Sequence, residues 1–228
     1  MIKKVFFLVF VVFNTSLHSQ QELRTNFGDV YYEPDRYKTQ YDAPDSTPYL
    51  NVEFTPAKIN DINETKMVRF NAFDESVEVM VNAKKVVILQ DSQPYIIRLL
   101  DGSKKVYETK KYGDEEGTVK TSFFELIARK TKYALFVKEK KKYVKAKKAQ
   151  GYEASKPAMF KKRKDTYYIT DFKERSELVI KIPSKVKTFL SFFPSHAKQV
   201  KMFIKKYKLK IDEGEDLIKI FDFYFDSI

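Results

Sequence analysis

Between residues 49 and 183 the chain carries short apolar runs separated by turn residues, a pattern that is typical of β-strands. The stretch from Val119 to Ile127 fits either a strand or a single helical turn, because periodicity does not separate the two in a short apolar run. The remaining runs predict strands at residues 49–54, 66–72, 76–81, 85–90, 95–100, 105–109, 133–137, 143–146, 159–161, 167–170 and 177–182.

Short turns are expected to join these strands into hairpins. Asp101-Gly102 fits a tight two-residue turn, because glycine tolerates the positive φ that such a turn requires. A lysine-rich turn is expected to pair 133–137 with 143–146. A third hairpin is expected around residues 163–165, pairing the runs on either side of it.

The run at 133–137 is apolar on both of its faces. Side chains alternate between the two faces of a strand. Ala134 and Phe136 should therefore face one way, and Tyr133, Leu135 and Val137 the other.

After Pro183 the spacing of apolar residues changes to that of helices. Ser184 is expected to cap a short helix that stops at Pro194, and Ser195 to cap a second helix. The second helix is amphipathic: it carries Val200, Phe203, Ile204 and Tyr207 on one face and Lys198, Lys201, Lys205 and Lys208 on the other.

A third helix is predicted at the carboxyl end. Asp212, with Glu215 three residues later, fits a capping box. From Leu217 to Phe225 this helix is apolar nearly all round, so it must be mostly buried. Strands followed by helices predict an α+β fold: a largely antiparallel β-sheet, as a hairpin meander, with two to three short C-terminal helices.

The amino end has the three parts of a secretory signal. Met1-Ile2-Lys3-Lys4 is positive, the run from Val5 to Phe13 contains only Val, Phe and Leu, and small polar residues follow up to Ser19. The run is too short to span a bilayer, which needs roughly 20 apolar residues. The alternative is a buried strand or helix. The sequence therefore predicts an exported, soluble protein, periplasmic or extracellular, with no transmembrane span.

This interpretation divides the chain into four parts. Residues 1–19 are the signal peptide and residues 20–48, with three prolines, are an extended or partly disordered arm. Residues 49–183 are the β-rich domain, and 184–228 are a helical segment packed on the same domain.

Composition excludes several kinds of chemistry. The chain has no cysteine, so thiol catalysis and Cys/His zinc sites are ruled out. After the signal peptide only His196 could serve as a histidine base, and it sits near a predicted helix start, where a surface or packing role is expected. The six glycines never cluster into a phosphate-binding loop. We therefore predict no catalytic residue, cofactor or metal.

Acidic clusters are the only remaining candidates for catalysis. They occur at residues 74–75, 114–116 and 212–216, all at predicted turns or helix starts, where acids favour the local conformation. A glycosidase needs only two acids at suitable spacing, so a carboxylate hydrolase remains an alternative. Calcium binding remains another, although neither 114–116 nor 212–216 follows the EF-hand spacing.

The positive charge is concentrated in one window. The formal net charge is +12, and residues 129–164 hold 15 Lys/Arg against 2 Asp/Glu. Such a concentration attracts polyanions. The candidate anion-binding residues are Lys138, Lys140, Lys141, Lys142, Lys145, Lys147, Lys148, Lys161, Lys162, Arg163 and Lys164.

Export limits the partners that this basic patch would meet. Anionic lipid, polysaccharide or an acidic envelope protein fit the compartment, whereas nucleic acid does not. The alternative is a pair of solvated hairpins whose outward face is lysine, since lysine lacks the fork that makes arginine specific.

Two segments resemble uncharacterised secreted proteins of Bacteroidota, of the flavobacterial type. They are residues 49–59 and 68–79, the second of which reads VRFNAFDESVEV. The closing helices and the Ser19-Gln20 junction are similar as well. The resemblance implies no activity and no catalytic residue. From the residues themselves, we expect Arg69 to pair with an acid and Asn71 to bond to backbone at the strand end.

Three functions remain open at this point. The first is a non-enzymatic envelope protein whose basic patch binds an anionic component. The second is a structural or protein-interaction module of the periplasm or outer membrane. The third is a carboxylate-dependent glycan hydrolase.

Overall fold

The computed structural model describes residues 31–32, 46–82, 85–89, 93–114, 116–171 and 177–227. The predicted signal peptide and most of the predicted arm lie outside these residues. The strands are β1 (Tyr31–Tyr32), β2 (Thr55–Ile59), β3 (Lys66–Asn71), β4 (Ser76–Asn82), β5 (Lys85–Leu89), β6 (Ile96–Leu99), β7 (Val106–Gly113), β8 (Val119–Arg129), β9 (Tyr133–Lys138), β10 (Lys141–Val144), β11 (Met159–Lys162), β12 (Thr166–Asp171) and β13 (Leu178–Lys181). The helices are α1 (Val186–Phe189), continued by a 3₁₀ turn (Leu190–Phe192), α2 (Ala197–Tyr207) and α3 (Gly214–Ser227).

Eleven strands form one continuous sheet in the order β1-β5-β4-β3-β2-β6-β7-β13-β12-β9-β8. Strand β8 also pairs with β7, so the last five strands close into a ring. Strand β7 belongs to both parts, because its first half pairs with β6 and its second half with β13. The β13–β7 pair is parallel, and the other pairs of the sheet are antiparallel.

The first part of the sheet has its own apolar core, to which strands β2 to β8 contribute. Ala57, Ile59, Val77 and Ile97 are fully buried there. Phe70 of β3 stacks on Tyr107 of β7, with the ring centroids 3.7 Å apart. This contact ties the first part of the sheet to the strand that begins the ring.

Strand β9 is buried along its whole length and separates two further cores. Ala134 and Phe136 join an interior cluster to which all five strands of the ring contribute. Tyr133 and Leu135 join a second cluster on the outside of the ring, beneath the helices. The predicted alternation of side chains is therefore confirmed for residues 133–136.

The C-terminal helices cover the outer face of the ring. Phe189, Val200, Leu217 and Ile220 are fully buried in the outer cluster, and Phe221 is 2% exposed. This burial matches the apolar stripe of α2 and the broad apolar surface of α3. Among the described helices, none is long and apolar enough to cross a membrane.

The α+β class, with a mostly antiparallel sheet and three short C-terminal helices, is confirmed. The ambiguous run at 119–127 is a strand, part of β8. The predicted strand at 49–54 is wrong: Tyr49 makes one isolated bridge to Asn71, and the strand begins at Thr55 instead. The sequence did not indicate this strand, because it contains Pro56 and proline cannot donate a hydrogen bond to a neighbouring strand.

The predicted pairing of the later hairpins is also wrong. Strand β9 pairs with β12 rather than with β10, and β11 pairs with β10. The Asp101-Gly102 turn is longer than two residues: Leu99 N donates to Lys105 O, and Asp101 Oδ1 accepts from Ser103 N. Gly102 does have positive φ.

The predicted helix starts are wrong in detail as well. The residues preceding α1 and α2 are Lys185 and His196 rather than Ser184 and Ser195, and neither caps its helix through its side chain. At the start of α3, Asp216 in the first turn of the helix accepts a hydrogen bond from Lys210 N, while Asp212 pairs with Lys164.

We expect Phe221→Ala to lower the free energy of unfolding by about 3–5 kcal/mol, because it opens a cavity in the outer cluster. Chemical denaturation followed by circular dichroism measures this loss. Met202→Ala, at a side chain that is 54% exposed on α2, is the matched control and should change stability by about 0.5 kcal/mol or less. Equal losses in the two variants would contradict the packing described here.

Candidate functional site

Strands β10 and β11 form a two-stranded ribbon that continues the β9–β12 pair beyond the ring. Lys138 pairs with Thr166 at the end of the ring, and Lys141 with Lys162 in the ribbon. Isolated bridges between residues 147 and 156 and between 150 and 153 carry the pairing to a tip at Gly151, where φ is +59°. We call residues 141–162 the basic hairpin. It carries eight lysines and one glutamate, a formal net charge of +7.

The inner face of the basic hairpin is anchored to the body of the protein. Phe160 is buried in a small aromatic cluster with Tyr49, and Phe73 and Tyr143 pack against it. Lys141 lies on this face and donates from Nζ to Thr47 O at 2.9 Å and to Tyr49 O at 2.5 Å.

The outer face of the basic hairpin, which alternates with the anchored face along the two strands, carries Lys142 and Lys161. Lys142 lies directly opposite Lys161, and like charges in that position destabilise a strand pair. Tyr152 at the tip is fully exposed. Six exposed lysines make no ion pair within the described part of the chain: Lys142, Lys145, Lys147, Lys148, Lys156 and Lys161.

The structure divides the eleven predicted anion-binding residues into two groups. Lys142, Lys145, Lys147, Lys148, Lys161 and Arg163 are exposed, with no ion pair among the described residues. The others are engaged: Lys138 and Lys140 with Glu75, Lys141 with backbone carbonyls, Lys162 with Glu139 and Asp165, and Lys164 with Asp212. Lys156 was missed, because in the sequence it stands alone in a loop.

A cleft of about 820 Å³ lies at the end of the ring from which the basic hairpin leaves. We call it the ring cleft. Its positive side chains are Lys120, Lys140, Arg163, Lys164 and Lys181, and its carboxylates are Asp74, Glu75, Asp114 and Glu116. Thr121, Ser122 and Thr166 add hydroxyl groups. Two of the predicted acidic clusters therefore meet in one cleft, although they are 40 residues apart in sequence.

Glu75 reaches the ring cleft from the turn between β3 and β4. Asn71 Oδ1 accepts hydrogen bonds from Phe73 N at 3.1 Å and Asp74 N at 3.0 Å, which fixes the turn. Glu75 has φ +58°, a left-handed conformation that a non-glycine residue rarely adopts. The turn therefore directs a carboxylate toward the ring at a cost in backbone strain.

The Glu75 carboxylate lies between two lysines. Oε2 is 2.5 Å from Lys138 Nζ, and Oε1 pairs with Lys140. Burial raises the pKa of Glu75, but the hydrogen bonds and positive charges of the two lysines outweigh it and hold this pKa below the usual value. Ser122 Oγ donates to Oε2 at 3.4 Å. Glu75 is thus an ionised bridge between the first part of the sheet and the ring.

Lys138 is 2% exposed. It lies over aromatic side chains in the interior of the ring of strands. Its Nζ is 3.9 Å from the ring centroid of Tyr112 and 5.0 Å from that of Phe124. Burial is the largest influence on this lysine and lowers its pKa to about 8, against the opposing effect of Glu75. The Lys138 ammonium is therefore stabilised by the Glu75 carboxylate and by the aromatic faces of Tyr112 and Phe124.

Two of the four acids of the ring cleft, Glu75 and Asp114, pair with lysines and have lowered pKa values. Asp114 accepts from Lys120 at 2.6 Å, and this hydrogen bond lowers its pKa. The pKa of Glu75 is lowered as well. A glycosidase needs one carboxyl group with a raised pKa that can donate a proton. Among the described residues, no three His, Asp or Glu side chains are grouped as metal ligands.

The motif that carries the resemblance has the structural roles expected of it. Arg69 is buried and pairs with Glu78, with Nη2 2.8 Å from Oε2. Its guanidinium carbon lies 3.5 Å from the ring centroid of Tyr49. Asn71 bonds to backbone, as predicted. The motif therefore builds the strand pair and the turn that present Glu75.

The comparisons with known proteins leave this geometry as the basis for assigning a function. No protein-family model matches the chain, and no curated protein or solved structure matches it significantly.

We expect Glu75→Gln to destabilise the protein at neutral pH by about 3–5 kcal/mol, because it leaves the buried Lys138 ammonium without a counter-charge. Denaturant titration at pH 7 measures the loss. Glu64→Gln removes a carboxylate that pairs with Lys66 at 2.5 Å but is 70% exposed, and should cost about 1 kcal/mol or less. Adding Lys138→Met to Glu75→Gln should restore part of the stability; a further loss would contradict the pairing.

Stability should also rise with pH because of Lys138. Its pKa is about 8 in the folded protein against 10.5 as the reference value, so the unfolded chain binds more protons between these pH values. The free energy of unfolding should therefore increase from pH 8 to 10.5, by up to about 3 kcal/mol, relative to a Lys138→Met variant measured in parallel. If the difference in the free energy of unfolding between the two proteins stays constant over this pH range, the pKa of Lys138 is not lowered in the folded protein.

Proposed function

We propose that this protein is an exported, non-enzymatic binding protein whose basic hairpin contacts an anionic envelope component. The observation that supports this most strongly is the basic hairpin itself, where six exposed lysines lack acidic partners within the described residues. Lys142 and Lys161 face each other across the ribbon. Such an arrangement costs folding free energy, and a bound anion would relieve it.

The anion that best fits this surface is the phosphate of a lipid headgroup layer. Lysine is a point charge without the fixed fork of arginine, which suits a surface with many equivalent phosphates. Each lysine near such a surface contributes about 1 kcal/mol of attraction. Tyr152 at the tip adds an amphipathic ring of the kind that lies at the membrane–water interface.

The charged opening and apolar run at residues 1–13 support export, and with it an envelope location. The ion pairs of Glu75 and Asp114, two of the four acids of the ring cleft, support a non-enzymatic role. The segments that resemble secreted proteins of Bacteroidota are consistent with both. The hairpin surface therefore carries the proposal, and export supplies the compartment.

Vesicle co-sedimentation tests the proposal. The protein lacking residues 1–19 should bind vesicles of phosphatidylglycerol and phosphatidylcholine but not vesicles of phosphatidylcholine alone, and binding should weaken steeply with salt. Removing four hairpin charges, with Lys145, Lys147, Lys148 and Lys161 changed to Gln, should weaken binding at least about tenfold. Tyr152→Ala should weaken it by a smaller factor.

The matched control removes four exposed charges from helix α2, with Lys198, Lys201, Lys205 and Lys206 changed to Gln. The two variants have the same net charge, so the control should keep most of the binding. Equal weakening in both variants would show that net charge, rather than the hairpin, drives association. Binding that does not respond to salt, or no binding to anionic vesicles, would overturn the proposal.

A further inference from the structure

We propose that the ring cleft is a second binding site, which takes an acidic saccharide: a sugar that bears a carboxylate or phosphate group. This goes beyond the hairpin contact, because the cleft is a concave site for a small ligand and would function whether or not the hairpin meets a lipid surface.

Size and position favour a ligand site. The volume of about 820 Å³ falls within the range of about 300–1,000 Å³ that is usual for small-molecule sites. The cleft lies at one end of the ring and is lined from the ends of β7 and β13, the starts of β8 and β12, and the β3–β4 turn. Groups from separate elements thus converge on one space.

The charges of the cleft favour an anion, with one arginine available to hold it. Lys120 is engaged by Asp114 and Lys164 by Asp212, while Glu75 is shared by Lys138 and Lys140. Arg163 makes no ion pair within the described residues. Its guanidinium can bind a carboxylate or phosphate through two parallel hydrogen bonds.

The acids and hydroxyls of the cleft favour a sugar over a simple polyanion. Four carboxylates line the same space as the cations, and they would repel a ligand that is negative throughout. Ionised carboxylates accept hydrogen bonds, which sugar hydroxyls can donate. The hydroxyls of Thr121 and Thr166 can both donate and accept. A sugar ring with one acidic group would place that group on the basic side chains and its hydroxyls on the carboxylates and threonines.

The β3–β4 turn, which lines the cleft, is held by hydrogen bonds and ion pairs within the protein. Glu75 is fixed by the Asn71 turn and by its two lysines, and its positive φ is a strain of the kind that collects at functional sites. Preorganised groups lose less entropy when they bind. The cleft therefore has the size, charge and rigidity of a binding site.

Isothermal titration calorimetry at low salt, with the protein lacking residues 1–19, tests the proposal. The probes are digalacturonate for a carboxylate source and glucose 6-phosphate for a phosphate source, with lactose and inorganic phosphate as references. At least one acidic sugar should bind about tenfold or more tightly than both references. Binding of digalacturonate would identify a carboxylate as the acidic group, and binding of glucose 6-phosphate would identify a phosphate. Amide NMR signals of Gly113 and Ser122 should shift, while that of Gly151 at the hairpin tip should not.

Arg163→Gln should weaken binding of the acidic sugar by about ten- to a hundredfold. Lys161→Gln removes the same charge from the outer face of the hairpin and should change the affinity by about twofold or less. Arg163→Gln should keep its vesicle binding, which separates this proposal from the proposed function. The proposal is overturned if lactose or inorganic phosphate binds as tightly as the acidic sugars, if only hairpin signals shift, or if neither acidic sugar binds.

Discussion

The buried ammonium of Lys138 is the constraint on which the arrangement of this protein depends. Strand β9 is buried on both faces, between the ring interior and the helices, and it ends in a lysine that is 2% exposed. A charge in such a place is stable only if it is paired. Its partner, Glu75, comes from the other part of the sheet, so this pair fixes the β3–β4 turn against the end of the ring. The walls of the ring cleft follow from that placement.

The β9–β12 pair and the basic hairpin form one long interrupted ribbon. Inside the ring, Ala134, Phe136 and Tyr168 of this ribbon join an apolar cluster, and beyond Lys138 the ribbon carries eight lysines between residues 141 and 162. Residues 139–140 and 163–165 lie at the interruption, where Lys140 and Arg163 line the cleft. A single stretch of sequence therefore supplies the core of the ring, the rim of the cleft and the exposed lysines.

Local patterns in the sequence predicted most elements of this fold, but not how they pair. Side-chain periodicity predicted the alternation in 133–136 and the three helices. It also predicted strands at 66–72 and 76–81, which the structure has at 66–71 and 76–82. The closure of the ring depends on β13 meeting β7, some 67 residues apart by their paired positions, and no local signal encodes that. The ring cleft was missed for the same reason: its acidic clusters were visible in sequence, but their meeting depends on long-range pairing.

The charge of the basic window shows why counting residues along a sequence misjudges a site. Fifteen positive residues in that window suggest a single patch. In the fold, nearby acids pair with six of them, and Lys132 and Lys141 donate to backbone carbonyls. The remaining seven are six exposed lysines of the basic hairpin and Arg163 of the ring cleft. Within the described part of the chain, the charge left after these pairings is a set of exposed lysines on the hairpin and the Arg163 guanidinium in the cleft. The first arrangement attracts without selecting, because lysine imposes no geometry, whereas the second can select, because a planar fork and fixed carboxylates demand both an acidic group and hydroxyls from the same molecule.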